Sequence, residues 1–163
     1  MCIRDSYELG MPQNLEYNIF VENRLAGFQL GGRSEICLCK RLRWGLGSKA
    51  AILNNNASAR QRIIDETGYI SVINSGPSAG RPFDYRSSKN DVAFLGELDT
   101  SLIYQTSQNT RFTIGYRAIG IAGVALAANQ IPYDFRDASQ LERTQTNGNL
   151  LLHGGYLGFE RSF

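Results

Sequence analysis

The sequence predicts an all-β fold, an antiparallel meander of about five to six amphipathic strands. Three observations predict it. The dominant hydrophobic period is two rather than 3.6. Seventeen glycines, eight tyrosines and eight phenylalanines in 163 residues favour strands over helix bundles. Short and long gaps between the alternating segments succeed one another strictly along the chain. The length suits one domain. Seventeen Lys+Arg against fifteen Asp+Glu give a net charge of +2, no electrostatic ground for a nucleic-acid partner or for anionic headgroups. The longest nearly apolar run, Ala118–Ala128, falls far short of the about 20 residues of a membrane-spanning helix.

The chain opens on Met1-Cys2-Ile3-Arg4-Asp5-Ser6, which has no apolar stretch of the secretory kind. It resembles a translated sequencing-adaptor leader, so residues 1–16 are expected to be non-native or disordered and the true start to be missing. The first strand is expected near 25–38. Ala26, Phe28, Leu30, Ile36 and Leu38 share one face, and Gln29, Arg33, Glu35 and Cys37 the other. After a turn at 39–41, the second strand (42–53) places Leu42, Trp44, Leu46 and Ile52 against Arg43 and Lys49. A long loop is expected over 54–90, with β-character within Ala57–Ile73 that could hide a sixth strand.

The third strand (91–105) sets Val92, Phe94, Leu98, Leu102 and Tyr104 against Glu97 and Asp99. A short turn leads to the fourth (111–122), with Phe112, Ile114 and Tyr116 opposite Arg117. A second long loop over 123–148 precedes the last strand (149–163). There His153 and Arg161 interrupt the apolar face. Closing the short turns predicts Leu38 with Leu42, Ile36 near Trp44, Tyr104 with Phe112, and Leu102 with Ile114.

The alternation of loop lengths puts short turns at one end of the sheet and long loops at the other, the layout of a transmembrane β-barrel. Each strand is long enough for the roughly 9–11 residues of a tilted crossing. Trp44, Tyr104, Phe112 and Phe163 lie on the apolar face near the short-turn end, as an interfacial aromatic girdle would. Gly158, Phe159 and the terminal Phe163 resemble the C-terminal signal read by the outer-membrane barrel assembly machinery, with Arg161 a departure from it. The competing architecture is a soluble lipocalin-like barrel or sandwich that binds a small apolar ligand, with Phe28, Leu46, Leu98, Ile114 and Leu157 as its core.

Four stretches carry a family resemblance in order and spacing. They are VENRLAGFQLGG (Val21–Gly32), DVAFLGELDTSLIYQTS (Asp91–Ser107), GYRAIGIAGVALAANQIP (Gly115–Pro132) and TNGNLLLHGGYLGFERSF (Thr146–Phe163). The chain from 17 to 163 resembles a family of bacterial outer-membrane β-barrels found mainly in planctomycetes. The resemblance implies the C-terminal part of an outer-membrane barrel in a Gram-negative cell, lodged in the lipid bilayer. Members would carry a signal peptide and further N-terminal strands, so 17–163 is expected to be a fragment of the barrel. Five strands alone would leave two unpaired edges in lipid.

The face opposite the apolar one collects Arg33, Glu35, Arg43, Lys49, Glu97, Asp99, Arg117 and Glu160. A charged lumen could set permeability. Ion pairs filling a narrow barrel are the competing account, favoured because small barrels are commonly filled by side chains. Asp99 is expected opposite Arg117, with Gln105 opposite Arg111, and Glu160 is expected within reach of Arg117. Nothing points to an enzyme. The G-x-S-x-G match at Gly76–Gly80 falls in the Ser-, Gly- and Pro-rich stretch of a long loop and not at the strand-to-helix turn a nucleophile elbow needs, and His153 has no fixed partner in sequence. Cys37-x-Cys39 lacks a second Cys/His cluster, so no metal is expected. GLGSKA (Gly45–Ala50) lacks the phosphate-loop pattern, and no cofactor is expected. The function expected is that of an integral outer-membrane β-barrel, structural or pore-like.

Overall fold

The structure, a computed structural model, describes residues 2–11 (backbone), 15–65, 67–73, 76, 78–132 and 141–162. It is all-β. Among the described residues six strands run β1 (Cys2–Met11), β2 (Leu15–Cys39), β3 (Leu42–Ile64), β4 (Asp84–Ser107), β5 (Thr110–Val124) and β6 (Gly148–Arg161). They form one sheet in sequence order, with β1 and β6 at its two ends. β1 pairs antiparallel with β2 from Cys2↔Arg24 to Met11↔Leu15. β4 pairs antiparallel with β5 from Phe94↔Ala122 to Ser107↔Thr110, with an irregularity between Gln105 and Ser107. Tyr104 stands opposite Phe112 and Leu102 opposite Ile114, as the hairpin closure predicts.

Two expectations need correction. Residues 2–11 form a strand paired along its whole length with β2, where a disordered leader was expected. The expected loop 54–90 narrows to 65–83, because β3 continues to Ile64 and β4 begins at Asp84. Ala57–Ile64 is therefore the end of β3 and not a separate strand. β2, β3 and β4 have 25, 23 and 24 residues, about twice what a tilted crossing needs.

The chain divides into two units that share these long strands. Unit 1 comprises Met1–Ala26, Asn54–Ala93 and Gly123–Gly148, and unit 2 comprises Gly27–Leu53, Phe94–Ala122 and Asn149–Phe163. Unit 1 holds the hydrophobic core. Odd-numbered residues Tyr17, Ile19 and Val21 of β2, Ala57 and Ala59 of β3, and Tyr85 of β4 bury together with Phe83, Ala125, Ala127 and Leu141. Tyr17 and Tyr85 each meet Phe83 edge to face, with centroids 5.9 and 5.4 Å away. Burial pushes the Tyr17 phenol well above its ordinary range, and its hydroxyl donates to Gln61 Oε1 at 2.5 Å. The segment after β5 is pinned from its first residues. Asn23 Oδ1 accepts from the Ala125 N–H and Asn23 Nδ2 donates to the Ala125 carbonyl, both at 2.8 Å, while Asn55 Nδ2 donates to the Gly123 carbonyl. Gly123 has φ +81°, and a side chain there would run into the Val92 carbonyl at 2.5 Å. Further along, Gln130 bonds both the N–H and the carbonyl of Gln145, closing the loop on itself.

The even-numbered face of the same strands in unit 1 is mostly polar, with Phe20 and Val92 as exposed apolar exceptions. Glu22 pairs with Arg24, Arg60 with Asp84, and Asn56 with Asn90. Arg62 lies over the Phe20 ring at 5.6 Å.

Three carboxylates of unit 1 give it an acid limit. The Arg60 guanidinium holds Asp84 below the usual carboxylate range, Lys89 and then Thr146 do so for Asp91, and Thr67 and the Tyr69 N–H for Asp65. A folded-state pKa below the unfolded value of about 4 adds stability that is complete above that value. That stability drains as pH falls through the depressed pKa. Acidification from pH 5 to 2 is therefore expected to weaken the near-UV circular dichroism of the Tyr17–Phe83–Tyr85 cluster. A signal unchanged over that range would contradict this.

Candidate functional site

In unit 2 the two faces exchange character. Even-numbered residues of β2, β3 and β4 are mostly apolar and exposed, with Phe28 at 91% and Leu98 at 64%. Leu46, Ile114 and Leu157 are exposed too, so none of the five residues expected as the core of a soluble barrel is buried. Polar side chains on this face find each other across strands. Trp44 Nε1 donates to Thr100 Oγ1 at 2.9 Å, and the Tyr116 hydroxyl lies 2.5 Å from His153 Nδ1. His153, which interrupts the apolar pattern in sequence, thus finds its partner on the neighbouring strand β5.

Three of the four expected girdle residues lie on one face near the short turns. Tyr104 and Phe112 pair directly, and Trp44 bonds Thr100, which shares the parity of Tyr104. Phe159 joins them, its ring 5.0 Å from Phe112. Phe163 lies outside the described residues. Of the expected assembly signal, Phe159 therefore packs in the aromatic row, and Gly158 lies on the other face near Thr113.

The charged face gathers all eight residues expected there. Lys49 Nζ is 3.2 Å from Glu97, and Arg117 Nε is 3.4 Å from Glu97 and 3.1 Å from Asp99. Arg33 reaches Asp99 at 4.0 Å and Glu35 at 3.8 Å, and Arg43 reaches Glu35 at 3.7 Å. Asp99 lies opposite Arg117 and Gln105 opposite Arg111, as the register argument required. One pairing differs from expectation. Glu160 bonds Arg111, with Oε2 2.7 Å from Nε, and the second carboxylate at Arg117 is Glu97. The register explains it: Arg111 stands near the start of β5 and Glu160 near the end of β6, whereas on β4 Asp99 lies directly opposite Arg117 and Glu97 two residues along on the same face.

Uncharged members of this face are visible only in the fold. The Tyr156 hydroxyl donates to Asp99 at 3.0 Å, and the Arg117 guanidinium lies 5.7 Å from the Tyr156 ring centroid. The Tyr156 ring occupies the space that Gly115 leaves empty. Arg33 also donates to Ser101 Oγ at 3.2 Å. Tyr156 and Ser101 share strand parity with Glu160 and Asp99, which was the available signal; a search confined to charged residues passes over them. Cys37 and Cys39 are free and exposed, and among the described residues no three metal-ligating side chains gather.

Coupling between Asp99 and Arg117 is expected at about 1 kcal/mol in a double-mutant cycle, at the low end for contacting groups because Arg117 is half-exposed. Zero coupling in lipid-reconstituted protein would show that the pair is incidental.

An antiparallel meander with one exposed apolar face and one charged face is the strand pattern of transmembrane β-barrels. A family model described as "Putative beta barrel porin-7 (BBP7)" matches residues 7–152, and the chain belongs to that family. The match agrees with the outer-membrane barrel resemblance seen in the sequence. It also takes in residues 7–16, part of the segment expected to be non-native. No curated protein and no solved structure matches the chain.

Proposed function

We propose that this chain forms part of the wall of an integral outer-membrane β-barrel, structural or pore-like and without catalytic activity. One observation carries the reading. Along β2 and β3 the even-numbered residues are mostly apolar and exposed in unit 2 but mostly polar in unit 1, where the buried apolar residues Tyr17, Ile19, Val21, Ala57 and Ala59 take odd positions; on β4 the even positions change from Asp84, Arg86, Ser88 and Asn90 to Phe94, Leu98 and Leu102. A strand that leaves a hydrocarbon layer has reason to invert in this way, since the surrounding medium changes while the side-chain period stays at two. The unit 2 segments 27–39, 42–53, 94–107, 110–122 and 149–161 are then the crossing segments. The cross-strand bonds of Trp44 and His153 fit this, because a polar group facing hydrocarbon needs a partner within the protein. The assembly machinery would act on the last strand.

The test is fractionation of cells producing the protein. Recovery with the outer membrane, resistant to carbonate and released by detergent, is expected. Recovery in the aqueous fraction without detergent would sink the proposal.

A further inference from the structure

The ion pairs of unit 2 are unequal in exposure, and the inequality has a sign. In the middle tier of the charged face, Arg33, Lys49 and Arg117 keep 47%, 45% and 48% of their side-chain surface, while Asp99 and Glu97 keep 7% and 12%. Three cations therefore cover two carboxylates. The Tyr156 hydroxyl closes Asp99 from a further side. At the turn-end tier the balance is even: Arg43 with Glu35 and Arg111 with Glu160 are comparably exposed. A net charge summed over the face hides this arrangement. A solute beside the middle tier meets guanidinium and ammonium groups, and the carboxylates lie behind them.

We infer that the middle tier is an anion-facing surface, and that the solutes it favours are small anions such as chloride, carboxylates or phosphate. The inference rests on the pore-like reading above for its transport meaning. The surface chemistry stands apart from conduction. Arg and Lys donors with spare N–H groups suit such solutes. Half-exposed cations beside a low-dielectric wall raise the local concentration of anions by about tenfold or more.

Two measurements on the full chain in lipid vesicles test it. In the first, Cys2, Cys37 and Cys39 are replaced by Ser and Gly154→Cys supplies the only thiol. Gly154 shares strand parity with Tyr156, and a side chain there meets nothing within 4 Å. Relative to a free thiol, an anionic methanethiosulfonate should outpace a cationic one by about tenfold. Lys49→Gln and Arg33→Gln should each shrink that ratio. In the second, the reversal potential of the reconstituted protein is read across a potassium chloride gradient, and chloride should be the preferred ion. A faster cationic reagent, or potassium selectivity, overturns the inference. A thiol preference for the anionic reagent with no conductance removes the pore-like reading and leaves the anion-facing surface standing.

Discussion

Replacing Leu98 by Arg should destabilise the protein in lipid by about 2–4 kcal/mol. Leu98 lies exposed on the apolar face of β4 opposite Ala118, in the middle of a proposed crossing segment. Arginine there must take its charge into hydrocarbon or bend to reach the interface, and both cost free energy. The measurement is a urea titration of the protein folded into vesicles. Ser88→Arg is the internal control. Ser88 has the same strand parity on β4 but belongs to unit 1, where that face is polar and exposed. Its cost should stay within about 0.5 kcal/mol, as for an ordinary water-facing site. Equal and small costs for both would show that Leu98 faces water, and would remove the case for the bilayer.

Leu141→Ala should cost about 2–5 kcal/mol, because it deletes a fully buried side chain from a packed core. Leu141 comes from the long segment between β5 and β6, and in unit 1 it packs in the cluster of Tyr17, Ile19, Phe83 and Tyr85. The substitution should also open that segment, so trypsin should cut at Arg143 sooner than in the parent. A full loss of stability with unchanged cleavage would mean that the segment is held by Gln130 and Asn23 rather than by Leu141.

The sequence made the unit 2 strands legible because each one alternates in a single phase. The turns at Lys40-Arg41 and Gln108-Asn109, the Tyr104–Phe112 register and the Asp99–Arg117 pairing all follow from that phase. The same method lost the strand beyond Ile52. From Asn55 to Ile63 the period is still two, but the apolar residues move to odd positions: Ala57, Ala59, Ile63. A search for one apolar phase reads the inversion as the end of the strand. Residues 2–11 were lost for another reason, since their pairing with 15–24 is a tertiary fact with weak local alternation behind it.

The charged site divides in the same way. Which residues share the face was fixed by parity, a local property of any strand. Which acid meets which base was not. Arg111 took Glu160 and Arg117 took Glu97, because β5 is flanked by β4 and β6 at distinct registers.

By itself, the sequence determined the all-β class, the order of the unit 2 strands, and which side chains share a face. These depend on the two-residue period and the turn residues, which act over a few positions. Only the tertiary structure decided that strands β2 to β4 run on into a second, oppositely patterned unit with its own core. It alone decided that Asp99 and Glu97 lie beneath Arg33, Lys49 and Arg117. Burial and exposure depend on neighbouring strands and on the surrounding medium, and neither is written in the spacing of one segment.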